Sequence, residues 1–145
     1  MFKFRLEPLI TIRENVRKER QAELVKAYEA RQKIENEQQG IEQAITENIE
    51  EARNQMLPGK AVNIEHLLYF RRHEMFLRAK QNELAKMAQM IDEEIERRRL
   101  AVIEADKECK STEKLKESQF KKYTEEERKT ENKQMDEIAG SRKKE

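Results

Sequence analysis

Met56-Leu57-Pro58-Gly59-Lys60-Ala61-Val62-Asn63 is the stretch that decides the fold. It holds the chain's only Pro-Gly dipeptide, a strong turn signal. Pro58 cannot continue a helix, because it lacks an N–H and its ring clashes with the preceding turn. The only other proline, Pro8, stands where a first helix begins, and a first turn tolerates it because that N–H is unpaired anyway. Asn63 is a good cap for whatever follows the break. From residue 63 to residue 139 there is neither Gly nor Pro. The sequence therefore predicts a first helix within residues 1–57, a turn at 58–62 and a second helix over 63–139. A tail at 140–145 is expected to be disordered. At 1.5 Å per residue the second helix is roughly 110 Å long and the first about 75 Å.

Composition agrees with long helices. Of the 145 residues, 42% are charged and 36% hydrophobic, far from the balance of a layered globular domain. Lys+Arg number 31 and Asp+Glu 30, with the signs alternating every few residues as on a solvated helix. The near-zero net charge argues against nucleic acid as a partner. No apolar run approaches the ~20 residues of a membrane span, so no direct membrane insertion is expected. The opening residues lack an apolar signal-peptide core, so export by that route is not expected.

Helices this long need a packed face to stay formed. In the second helix a heptad register supplies one. Its two sets are Phe70, Leu77, Leu84, Ile91, Arg98, Ala105, Thr112 and Gln119, and Leu67, Glu74, Gln81, Ala88, Ile95, Val102, Cys109, Lys116 and Tyr123. The first helix offers Leu6, Leu9, Val16, Ala27, Ala30, Ile34, Ile41 and Ala44, interrupted by Arg13, Arg20, Glu23 and Glu37. Such a seam is imperfect as knobs-into-holes packing. The expected fold is all-α, two long helices in an antiparallel coiled-coil hairpin. The expected core is Ile34, Ile41, Leu77, Leu84, Ile91, Ile95 and Val102. Matching rises outward from the turn pairs residues whose numbers sum to about 119. On that count the second helix overhangs the first over about 114–139.

Little here can carry catalysis. His73-Glu74 opens like a zinc-protease motif, but the position needing the second histidine is Leu77. The three glycines lie far apart, so there is no phosphate loop. Cys109, the single cysteine, falls on the seam, and no histidine lies near it to act as a base. The reading is a non-enzyme without cofactor or metal. Arg97-Arg98-Arg99 is either a solvated face or a surface for an acidic partner. Gly40, mid-helix, is either a local weakness or a point of close approach. Tyr69 and Phe76 after the turn, Phe2 and Phe4 before the first helix, and Phe120 and Tyr123 on the overhang are candidate docking aromatics.

The two ends of the chain resemble the FliJ family, a soluble component of the bacterial flagellar type III export apparatus. The opening is Phe2-x-Phe4-Arg5-Leu6-x-Pro8-Leu9-Ile10-x-Ile12-Arg13, and the close is Asn132-Lys133-Gln134-Met135-Asp136-Glu137. Leu68-Tyr69-Phe70-Arg71-Arg72 after the turn is similar to the family's aromatic stretch. The resemblance implies an antiparallel coiled coil like the gamma stalk of rotary ATP synthases. It implies three partners: a hexameric flagellar export ATPase, the cytoplasmic part of the export-gate membrane protein, and export chaperones. The matching residues for the ATPase are Arg5, Arg13, Lys133, Met135, Asp136 and Glu137. For the gate the candidates are Tyr69, Phe70 and Phe76, in the turn-side half. The implied chain is a monomer when free, cytoplasmic and peripherally associated with the inner-membrane export apparatus. Two alternatives remain at this point: a self-associating structural coiled coil, and the equivalent stalk of a virulence-type secretion system.

Overall fold

The computed structural model describes every residue except Lys60, Lys144 and Glu145. Among the described residues the chain forms two α-helices and no strand: α1, Glu7–Gln55, and α2, Ile64–Lys143. α1 opens with Glu7 against the positive end of the helix dipole and Pro8 in the first turn. Its ladder starts where the Leu9 and Ile10 amides donate to the Leu6 carbonyl, at 2.9 and 3.3 Å. Arg53 in its last turn faces the negative end. The reversal is made at Gly59, whose φ of 91° a side chain with a Cβ rarely adopts. Asn63 then caps α2: its Oδ1 accepts from the Glu65 amide at 2.9 Å, and its carbonyl accepts from Leu67.

α2 runs on through Gly140 to Lys143, past the end expected at residue 139. One glycine costs only about 1 kcal/mol against alanine, too little to stop a helix already nucleated. Of the expected turn and tail, Lys60, Lys144 and Glu145 lie outside the described residues.

The chain divides into two compact units, Ala22–Leu100 and Met1–Gln21 with Ala101–Glu145. In each, α1 and α2 pack antiparallel. In the first unit Asn48 meets Phe70, Arg31 meets Asp92 and the Glu23 carbonyl meets Arg98. Ala27, Ile34, Ile45, Leu77, Leu84 and Ala88 are buried there, and Ile41, Ile91 and Ile95 are half-buried. Asn48 is buried as well; its Nδ2 donates to the Phe70 carbonyl at 3.0 Å. A buried amide bonded to a fixed backbone atom favours one register over its neighbours.

In the second unit Arg17 meets Asp106 at 3.6 Å and Lys116 meets Glu7 at 2.9 Å. Ala105, Cys109 and Thr112 are buried, while Leu9, Val16 and Val102 are half-buried. Here the first six residues precede α1, as expected for a helix that begins near Pro8. Phe4 is 7% exposed, and the Phe2 ring sits 5.4 Å from both Phe120 and Tyr123 of α2. Cover over α2 therefore extends to Tyr123, beyond the overhang expected from about 114. From Thr124 to Lys143 every residue is exposed.

Gly40 lies in the α1 interior with nothing within 4 Å of where a Cβ would stand. Gly40→Ala is expected to raise the unfolding free energy by about 1 kcal/mol. Gly59→Ala is expected to lower it by about 1–2 kcal/mol, because of its positive φ. Urea unfolding followed by helical circular dichroism measures both.

Candidate functional site

Two sets of exposed side chains stand apart from the seam, one in each unit. In Ala22–Leu100 the set begins two turns into α2. Tyr69 and Phe76 are 64% and 57% exposed. The His73 ring lies between them, stacked 6.1 Å from Tyr69 and 6.5 Å from Phe76. Helical spacing makes the stack, since residues three and four apart share a face. The Lys80 ammonium extends it, 5.8 Å from the Phe76 ring centre. Leu68 and Met75 widen it, each at least half exposed. Phe70 is different. It is half-buried and its carbonyl holds Asn48, so it belongs to the seam as much as to the surface.

In the other unit the motif residues do not come together. Lys133, Met135, Asp136 and Glu137 share the exposed stretch of α2 beyond Tyr123, with Met135 68% exposed. Arg5 is exposed in the turn before α1. Arg13 is half-buried, and its Nη1 donates to the Glu108 carbonyl at 3.0 Å and to the Thr112 hydroxyl. That places its guanidinium some 20 residues short of Lys133 along α2, roughly 30 Å of helix. The charge is spent on holding α1 to α2.

The arginine run is likewise committed. Arg97 and Arg98 both bind Glu94, at 2.6 and 2.9 Å, and Arg99 binds Glu96 at 3.0 Å. Arg98 also reaches across the seam to the Glu23 carbonyl at 2.6 Å. These bonds hold the Glu94 and Glu96 carboxyls below the usual carboxylate range. Lys110 and Arg17 do the same for Asp106. The run is part of the helix surface, not an open basic patch. Tyr123 donates to Glu127 at 2.6 Å, which pushes its phenol above the ordinary value.

Several features escaped the sequence reading. Of the candidate docking aromatics, Phe2 covers Phe120 and Tyr123, and Phe4 is buried. Asn48 and Thr112 are buried polar groups of the seam. Thr112 stood in the heptad list; Asn48 lies four residues after Ala44, a spacing that could have found it. No cluster of three metal-binding side chains occurs among the described residues. Among the described residues no helix is long and apolar enough to cross a membrane.

A family model described as flagellar FliJ protein matches residues 2–144, nearly the whole chain. The chain belongs to the FliJ family. Neither the curated proteins nor the solved structures give a match. As a FliJ-family protein it is a component of flagellar type III protein export, associated with the export apparatus and acting in flagellum biogenesis.

Arg13→Ala is expected to lower the unfolding free energy by about 1 kcal/mol, through loss of bonds made by a charged donor. It should speed amide exchange over Ile10–Arg17, whereas Lys133→Ala should leave that exchange unchanged. Because Glu94, Glu96 and Asp106 have lowered pKa values in the fold, their contribution is complete above the unfolded carboxylate range of about 4 and is lost as pH falls through the lowered values. The melting temperature should therefore hold from neutrality down to that range and drop below it.

Proposed function

We propose that this FliJ-family chain is a stalk-like coupling component that binds the hexameric export ATPase and links it to the export gate. The reading is supported most by Thr124–Lys143, a helical stretch with every residue exposed. A helix without a packed face is marginal in water. Its side chains are nearly all polar, with Met135 and Ile138 as the large apolar exceptions. A helix polar all round suits a channel lined by polar and charged groups better than an apolar groove. The axial pore of a hexameric ring is such a channel. Lys133, Met135, Asp136 and Glu137 would contact it, with Arg5 at the base of this stretch. Arg13 would act by position, keeping α1 docked so that the free helix begins at a fixed point.

The exposed stack of Tyr69, His73 and Phe76, beside Phe70, is the proposed contact for the cytoplasmic part of the gate membrane protein. Aromatic side chains dominate protein interfaces. Export chaperones are further partners on this reading. The free chain is monomeric, and it associates with the inner-membrane apparatus only through these proteins.

Light scattering on the purified chain, alone and then with the export ATPase and a non-hydrolysable nucleotide, tests the proposal. The expected result is a mass near 17.4 kDa alone and co-elution with the hexamer when mixed. Lys133→Ala with Asp136→Ala should abolish co-elution while leaving helicity intact. A stable dimer indifferent to the ATPase would sink the reading and favour a self-associating coiled coil.

A further inference from the structure

Beside the turn, α1 and α2 leave a groove of about 290 Å³. Ile49, Ala52 and Met56 form one wall, and Leu67 and Phe70 the other. The volume is at the low end for a small-molecule pocket and is room enough for one anchoring side chain. Both walls are apolar, and Met56 remains 52% exposed, so the hairpin does not fill the groove itself.

The rim says what else the occupant carries. Arg53 forms no ion pair among the described residues, and it stands on one edge. On the other edge Arg71 binds Glu74 at 3.2 Å, but Arg78 shares the same carboxylate at 3.7 Å. The groove is thus lined by two guanidiniums, Arg53 and Arg71, and one carboxylate, Glu74, which Arg71 and Arg78 already share, so Arg53 is left for another anion. At the inner end Asn48 uses its Nδ2 on the Phe70 carbonyl, while its Oδ1 accepts nothing among the described residues. An N–H or O–H donor entering there finds an acceptor.

We propose that this groove takes one large apolar side chain of the export gate's cytoplasmic part, with an adjacent aspartate or glutamate held by Arg53. The inference rests on reading the turn-side half as the gate contact, and it adds a second surface to that contact. The aromatic stack lies on the outward side of α2, whereas the groove lies between the helices and needs both. A carboxylate between Arg53 and Arg71 gains a charge-assisted bond that water and salt weaken. The apolar anchor supplies the part of the affinity that salt does not touch.

The experiment measures binding of the purified cytoplasmic domain of the gate protein to the full chain at low and high salt, by titration calorimetry. Three variants are compared with the unaltered chain: Ala52→Phe, which fills the groove from within; Arg53→Glu, which reverses the rim; and Phe76→Ala, which removes the outward stack. The expected result is at least a tenfold loss for Ala52→Phe at both salts. Arg53→Glu should lose as much at low salt and less at high salt, and Arg53→Lys should recover most of it. Circular dichroism checks that Ala52→Phe keeps its helicity; if it does not, the exposed Arg53 pair decides alone. Full binding by Ala52→Phe and Arg53→Glu, with loss only in Phe76→Ala, would overturn the groove and leave the gate reading standing. No binding by the unaltered chain would overturn both.

Discussion

A seam between only two helices cannot enclose a large side chain. Every core residue has solvent on two sides, and among the described residues no large side chain falls below 2% exposure. Apolar burial is therefore spread thinly, and register has to be fixed by something more directional. The polar members of the seam provide it. Asn48 bonds the Phe70 carbonyl, Arg98 the Glu23 carbonyl and Arg13 the Glu108 carbonyl. Each of these pairs a side chain of one helix with a backbone atom of the other. A carbonyl has one position along its helix, so each bond selects one alignment where a stripe of Leu and Ala would tolerate several.

This has a consequence for how charge is read on such a chain. A basic cluster in a helical sequence invites the idea of an acidic ligand. Here Arg97, Arg98 and Arg99 sit three or four residues from Glu94 and Glu96 and bind them. The alternation that keeps the net charge near zero also neutralises these three arginines within their own helix. Each such pair is open to solvent and screened by it, so it adds little to stability. Several other cations form no ion pair among the described residues and stay open to partners. Arg53 is one of these.

Along α2 the seam gives way to solvent in steps. Thr112 and Cys109 are buried, Lys116 is half-buried on Glu7, Tyr123 is half-buried beside Phe2, and nothing after it is covered. Segments with few buried contacts open most readily, and partner-binding elements are drawn from that end of the stability scale. The exposed helix beyond Tyr123 and the open groove beside the turn both meet this description. Each trades intrinsic stability for surface that another protein can cover.

The two helices and the reversal between them were determined by the sequence alone. Pro58 and Gly59 forbid helix at one place, and no residue forbids it over the following seventy or more, so local chemistry suffices. The flagellar export family was legible as well, because its markers are short motifs near the two ends of the chain. What lay out of reach were contacts between residues distant in sequence. Phe2 and Phe4 carry no period that points to Phe120, since an extended segment can lie in many ways against a helix. Arg13 matches a family motif whether it faces a partner or the neighbouring helix; only packing put it on Glu108 and Thr112. The groove at Ala52 exists because a small side chain on α1 faces Leu67 and Phe70 across the seam. Propensity and periodicity act within one helix, and they settle which faces turn inward. Which atoms then meet is decided by how the two helices are set against each other, and that is a property of the folded pair.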